Sequence, residues 1–591
     1  MKEKNKPANI KTDKTALRLL SRLFPYIKTN AAGIAIMYLF SLINVAATIA
    51  LPFLIQKGID YGIALKDIDY LVKISAITAI VLFFQFFSFR YQGRLMMKIG
   101  NRILYYIRRD LFNHIQGLSF RFFDKNRTGN IMTRLTVDVQ VLEELLMTGL
   151  DTVLVDVIMI AGIIGAMLLL DLKLSLVLLF ILPLLVMIVF GLQSRIVRAA
   201  RGIQGRLSSV NAFLNESLSG VMVTRSFARE KRNIKLFESY NGNYYKNTRK
   251  FYPLHAYFWQ SVIMLNTASA GLVIIGGGLL IKSGQVTIGV VAAFLTYVTQ
   301  LFQPMQKISN MLNQLSRAYA SCERIFAIMD EKSDIVEKAN SISDFQLTGD
   351  VTFKDVRFHY NPEEPILKGI SFDAQAGETV AIVGHTGSGK STIVHLVSRF
   401  YDVTDGAVLI DSIDIRDYSI AAYRRQTAVV MQEPQIFSGS VYENISFSVP
   451  DSTIDDVTAV CKQLGIHEMI IGFPDGYDTL MGERGANISI GQKQLLAFAR
   501  AMLRDPRILI LDEASAYLDT RTETMVQKAL ASIMKGRTTF VIAHRLSTIR
   551  NANKIIVLDK GVITDIGSHE ELLKKEGIYK NFLRQNNPIA G

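Results

Sequence analysis

The 591-residue sequence predicts an all-α membrane domain of six transmembrane helices with long cytoplasmic extensions, followed by a soluble α/β domain. Three observations predict it. Apolar residues make up 49% of the chain and charged residues only 20%, below the roughly 25% charged that soluble domains carry. The apolar residues gather before about residue 330, in stretches nearly free of charge. After residue 348, short β-rich runs alternate with helical patterns. A wholly soluble or disordered chain is thereby excluded. Two cysteines, Cys322 and Cys461, cannot build a disulfide framework, so a reducing compartment fits. The net charge of +14 must be read segment by segment.

The first apolar stretch runs from Asn30 to Gln56 and the second from Ile74 to Phe89. The third lies between Glu144 and Asp171, interrupted only by Asp151 and Asp156. The fourth spans Leu174 to Ser194, the fifth Phe251 to Ile281 and the sixth Ser283 to Gln306. About 20 apolar helical residues cross a ~30 Å hydrocarbon core, so only the second must borrow from its flanks. The connections at 57–73, 171–173 and around 282 are short, whereas those at 90–143 and 195–250 are long and basic. Ten Lys/Arg fall in 90–143 and eight in the first thirty residues. The positive-inside bias puts the N-terminus, both long loops and the C-terminal half in the cytoplasm. Residues 14–28 read as an interfacial amphipathic helix rather than a signal peptide. The expected divisions are 1–30, an N-terminal segment; 31–328, the membrane domain; 329–347, a linker; and 348–591, the soluble domain.

The long loops keep helical periodicity, so the spans are expected to continue into the cytoplasm. Each loop then breaks, at Phe122–Gly129 and at Ser219–Glu230, where aromatics among charges point to docking surfaces. A solvated turn is the bland reading of either. Phe123 and Phe227 are expected to tuck into the soluble domain. Asp156, fifteen residues from Asp171, lies ~22 Å from the outer end at 1.5 Å per residue. Intramembrane carboxylates default to a functional hypothesis: were Asp156 to face a water-filled cavity it would pair with cationic ligands, and a hydrogen bond between helices is the structural alternative.

In the soluble half, the apolar strand Val380–Val383 runs into Gly384-His385-Thr386-Gly387-Ser388-Gly389-Lys390-Ser391, and a helical run opens at Thr392. This is G-x-x-x-x-G-K-S in the strand–loop–helix context that the phosphate-loop motif requires. Glycines let backbone N–H groups wrap phosphates, and the helix N-terminus adds its positive dipole end. Lys390 is placed to reach the β- and γ-phosphates and Ser391 to coordinate Mg²⁺. A second apolar strand, Ile508–Leu511, ends in Asp512-Glu513. One acid there holds the Mg²⁺ shell and the next can act as general base on water. A third, Thr539–Ala543, leads into His544, placed to contact a γ-phosphate. Three polar strand ends beside a phosphate loop put a site at the carboxyl edge of the sheet.

With these motifs in order, about 95% of the chain resembles an ATP-binding cassette exporter half-transporter, whose fold is six spans followed by a P-loop nucleotide-binding domain. The resemblance implies further roles. Tyr360 matches the aromatic that stacks on adenine, and Gln432 the loop glutamine that senses Mg²⁺ and the membrane domain. Gly482-Glu483-Arg484-Gly485 precedes the family signature, and the segments at Phe123–Gly129 and Gly220–Glu230 resemble its two coupling elements. ATP and Mg²⁺ are the implied ligands. Ser489, Gly491 and Gln492 of the signature are implied to cover ATP bound to a second chain.

Two departures stand out. The signature Leu-Ser-Gly-Gly-Gln is here Ile488-Ser489-Ile490-Gly491-Gln492, which sets a β-branched residue where the first glycine lies. The usual Ser-Ala-Leu-Asp after the carboxylates is Ala516-Tyr517-Leu518-Asp519. Lys390, Gln432, Glu513 and His544 are intact. This asymmetry points to a heterodimer with one competent and one degenerate site, in preference to a homodimer. Either way a second half-transporter chain is required. The function implied is multidrug-type export of amphipathic small molecules from a bacterial cytoplasmic membrane, with the lipid bilayer and not nucleic acid as partner. A homodimeric lipid flippase or a peptide exporter is the alternative.

Overall fold

A computed structural model describes residues 19, 21–179, 181–512, 520–543 and 546–586. The chain divides into two units, Met1–Gly117 with Asn126–Glu331, and Leu118–Lys125 with Lys332–Gly591. Contacts thus group the short helix Phe120–Lys125, expected within the membrane domain, with the second unit.

The first unit is helical. Its long elements are Ala31–Lys57, Ile68–Gln116, Val139–Leu170, Ile181–Ser219, Glu230–Lys282 and Ile288–Met329. Ile68–Gln116 has 49 residues, about 73 Å at 1.5 Å each, more than twice the ~30 Å hydrocarbon core. The short second stretch therefore does sit inside a much longer helix. Helix starts are capped where the sequence supplies an oxygen: Asp67 accepts from Tyr70 N at 2.9 Å and Thr287 from Val290 N at 3.3 Å. By length and composition Ala31–Ile63, Ile68–Gln116 and Glu230–Lys282 can each cross a membrane, and Leu154–Leu170 and Ile288–Pro304 are shorter apolar helices. The three short connections meet at one end of this unit. Asp60 accepts from Thr287 Oγ1 at 2.6 Å and Gly289 N at 2.9 Å, and Lys173 donates to Gln285 at 2.7 Å.

Helices Val139–Leu170 and Ile288–Met329 are joined by three charged rungs in antiparallel order. Asp138, just before the first helix, accepts from Arg324 Nε at 2.9 Å, from Ser321 at 2.9 Å and from Arg134 at 2.8 Å. Glu144 accepts from Gln314 at 3.2 Å and Arg317 at 3.3 Å. Asp156 meets Lys307 at 3.5 Å. The acids all stand on one strand of the seam and their cross-helix bases on the other, so only one register satisfies all three rungs. The middle pair is exposed and worth little. Asp138 and Asp156 are buried, where an unpaired charge is costly. Of the two readings of Asp156, this geometry favours the bond between helices: the carboxylate is buried and meets Lys307, the exposed member of the pair.

The second unit holds two large sheets and a two-stranded one, Gly439–Ser440 with Leu480–Met481. Of the large sheets, the antiparallel one has the order Glu364–Ala374, Val351–Asn361, Asp405–Ile410, Ile413–Asp414. The other runs Val562–Gly567, Lys554–Asp559, Thr379–Val383, Thr538–Ile542, Ile508–Asp512, Thr427–Val430, parallel except at its first strand. Its central strands are continuous apolar runs because both faces are covered. Alternate residues serve opposite cores: Ala381, Val383, Leu509, Leu511 and Val541 pack with the helix Ile490–Leu503. Val380, Ile382, Ile508, Ile510 and Phe540 pack towards the antiparallel sheet.

Two outcomes follow from the seam. Lys307→Met removes the exposed cation that Asp156 meets at 3.5 Å and should destabilise the purified protein by about 1 kcal/mol, whereas Lys307→Met with Asp156→Leu should recover most of it. Equal thermal shifts for the single and double variants would dismiss the rung. Burial raises the Asp138 pKa, but the bonds from Arg324, Arg134 and Ser321 outweigh it and hold the carboxyl below 3.8. Its contribution is therefore complete above the ordinary aspartate value and is lost as pH falls through the lower folded one. Asp138→Asn should remove that part of the acid sensitivity, read as melting temperature against pH between about 5 and 2.

Candidate nucleotide site

Parallel register builds the site. Ile382 stands opposite Ile542, Ile542 opposite Asp512, and Leu511 opposite Val430. The chain therefore leaves four neighbouring strands on one edge, into Gly384, Ala543, Asp512 and Met431-Gln432. Gly384 has φ 156° and a Cβ there would lie 2.1 Å from the Leu558 carbonyl oxygen. Gly387 and Gly389 take φ 80° and 107°, a left-handed backbone that glycine adopts without penalty. Gly389 caps the helix Lys390–Val397, so the loop delivers free N–H groups at a helix start.

Lys390 folds over this loop, its Nζ donating to the carbonyls of Gly384 and His385, both at 2.9 Å. Burial lowers its pKa, and the charge of Asp512 partly offsets that. An ammonium held half-desolvated in this way gains from an arriving phosphate. Ser388 is buried, and its Oγ has no hydrogen-bond partner among the described residues, as expected of a hydroxyl that completes its bonding with a ligand. Ser391 is exposed in the first helical turn, Asp512 ends its strand, and Gln432 is exposed just past Val430. Oxygen donors from a hydroxyl, a carboxylate and an amide fit Mg²⁺. Glu513 and His544 lie outside the described residues.

Tyr360 stands beside the same helix. Its hydroxyl lies 3.3 Å from Thr392 Oγ1 and 3.0 Å from His395 Nδ1, and burial raises its pKa while the Thr392 bond opposes. Thr392 is buried. His385 and Thr386 are exposed on the loop. The signature forms a separate N-terminus: Ser489 caps the helix Ile490–Leu503, accepting from Gln492 N at 3.3 Å, and Gln492 Oε1 accepts from Ser489 N at 2.9 Å. Ile490 takes the first helical position with its side chain exposed, and Gly491 is buried behind it. The isoleucine therefore strains no backbone; it changes the surface that the helix presents.

Sequence reasoning missed one layer. Tyr401 is buried and donates its O–H to Asp124, while Phe120 stacks on Phe400 at 5.0 Å and 11°. The ring docked in this unit is therefore Phe120 rather than the expected Phe123, which is exposed. Phe227 is exposed on the first unit. A cleft of about 640 Å³ opens beside Gln432, lined by Met431, Pro434, Phe437, Phe447 and Arg500. Burial lowers the Arg500 pKa.

A phosphate loop on a parallel sheet, fused to a unit of long apolar helices, defines a nucleotide-driven membrane protein. Residues 34–305 match the family described as the ABC transporter transmembrane region and 367–516 that described as ABC transporter. An uncharacterized ABC transporter ATP-binding protein of Bacillus subtilis, YknV, is 38% identical over 96% of this chain and 94% of its own. The same organism's probable multidrug resistance ABC transporter ATP-binding/permease protein YheH is 39% identical over 85% and 74%. The solved structure of a bacterial Atm1-family ABC exporter with ATP bound superposes with a TM-score of 0.78 at 27% identity, covering 95% of this chain and 99% of that one. The chain belongs to the ABC transporter family, as an exporter with fused transmembrane and ATP-binding domains. It is a multi-pass membrane protein that couples ATP hydrolysis to transport, and such exporters act as dimers in a bilayer.

Because a Cβ at Gly384 would collide with backbone rather than with a movable side chain, Gly384→Ala should weaken ATP binding at least tenfold. Lys390→Ala should do the same by removing the charge. Binding of a fluorescent ATP analogue to the purified protein checks both, and near-native affinity in Gly384→Ala would contradict the assigned loop geometry.

Proposed function

We propose that this chain is one half of a multidrug-type exporter that moves amphipathic small molecules out across the bacterial cytoplasmic membrane by alternating access. The observation that carries this reading is the phosphate loop Gly384–Ser391 on the same chain as the long apolar helices, and a relative named for multidrug resistance supports the substrate class. Six spans, with the N-terminus and nucleotide domain in the cytoplasm, complete the topology.

In the proposed site the loop N–H groups and Lys390 hold the β- and γ-phosphates, and adenine stacks on Tyr360. Glu513 takes the proton from the attacking water, and His544 contacts the γ-phosphate. Ser391, Gln432 and Asp512 would hold Mg²⁺, which when bound neutralises charge on those phosphates. Ser489, Gly491 and Gln492 close over ATP on the second chain, so hydrolysis requires two chains.

That requirement gives Ile490 its consequence. In a self-pair, both γ-phosphates would meet an exposed β-branched side chain. We therefore favour a heterodimer in which this chain's Glu513 serves the competent site and its altered signature caps a degenerate one. Glu513→Gln should keep ATP binding and lose nearly all hydrolysis, whereas the equivalent change in a co-expressed partner should leave turnover largely intact. Steady-state ATPase of the purified pair decides it. Equal losses from both changes, or a homodimer hydrolysing at full rate, would refute the asymmetry. Wild-type turnover in Glu513→Gln would move the base elsewhere.

A further inference from the structure

Tyr401 lies outside the phosphate-loop motif Gly384–Ser391. It follows the helix Lys390–Val397 by four residues and is buried. One edge of its ring meets Tyr360 at 5.1 Å and 86°, and another meets Phe358 at 5.6 Å. Its hydroxyl donates to Asp124 Oδ2, on the short helix Phe120–Lys125. That helix is held on the same unit by two further contacts. Phe120 stacks on Phe400, and Arg121 pairs with Asp334 at 3.3 Å. The guanidinium of Arg121 also lies 5.9 Å from the Tyr401 ring.

We infer that Tyr401 is a positioning residue that ties nucleotide stacking on Tyr360 to the anchoring of the helix Phe120–Lys125 through its bond to Asp124. This rests on the proposed role of Tyr360 as the adenine platform. Tyr360 is fixed at its far end by Thr392 and His395, so ring motion on ligand binding is transmitted to the neighbour that meets it edge-on. Edge-to-face pairs prefer a defined geometry, and a buried ring in a close-packed core cannot tilt without moving its neighbours. The acceptor is a carboxylate on an exposed residue, so water competes for it, and the bond holds or opens with the placement of the phenol. A purely structural aromatic needs neither a hydroxyl bonded to a surface carboxylate nor contact with both partners.

The two functions of the residue are separable by substitution. Tyr401→Phe keeps the ring against Tyr360 and removes the bond to Asp124, whereas Tyr401→Leu removes both. The experiment follows hydrogen exchange of the peptide spanning 118–125 in the full chain, assembled with its partner half in lipid nanodiscs, with and without Mg·ATP, and the KM for ATP on the same samples. In the wild type, ATP should slow exchange of that peptide about tenfold. In Tyr401→Phe the protection should vanish with the KM for ATP within about twofold of wild type. In Tyr401→Leu the KM should also rise roughly fivefold. Asp124→Ala, which removes the acceptor, should reproduce the Phe variant. Retained protection in Tyr401→Phe, an equal rise of KM in the Phe and Leu variants, or no ATP effect in a wild type that hydrolyses ATP would each overturn the inference. Failure of the wild type to bind ATP at all would instead sink the nucleotide reading, and this proposal with it.

Discussion

The parallel register of four strands is the constraint on which the nucleotide site depends. Because Ile382, Ile542 and Asp512 fall into step, with Val430 opposite Leu511, the carboxyl ends of these strands lie on one edge. A slip of one residue would send every side chain to the opposite face, moving Leu509 and Leu511 into the core that Ile508 and Ile510 now fill. The two apolar cores on either side of the sheet exclude such slips, since alternate residues of each strand are committed to one or the other. Catalytic placement is thus a by-product of core packing.

What was legible in the sequence reflects how local the signal is. The phosphate loop, its strand and its helix are contiguous, so glycines at 384, 387 and 389 could be read directly and their backbone angles follow. The long helices were legible for the same reason: apolar content and period repeat over dozens of residues. Tyr401 was not legible, because its partners Asp124 and Tyr360 lie 277 residues away and on another strand. Nothing local distinguishes a phenol that bonds a distant carboxylate from one that fills a core.

Asp156 shows the same limit with opposite consequence. Read alone, a carboxylate in an apolar stretch looks like a ligand site. Lys307 changes that meaning, and only the antiparallel placement of two helices reveals it. The exposed flank of the pair is positive, so a cationic ligand would meet Lys307 before it met the acid. Ile490 is a third case: its oddity is visible in the sequence, yet its ordinary helical backbone shows that surface shape, not strain, is what changed.

The seam between the third and sixth long helices also bears on how the protein is made. Asp156 emerges from the ribosome 151 residues before Lys307. At about 5–20 residues per second, that is roughly 8–30 s before Lys307 is synthesised. An aspartate near the centre of an inserting helix costs about 2.5–3.5 kcal/mol. The helix bearing it therefore gains the Lys307 contact only when the last long helix of the unit arrives. That rung of the seam thus closes late in synthesis, and truncation before residue 307 removes it.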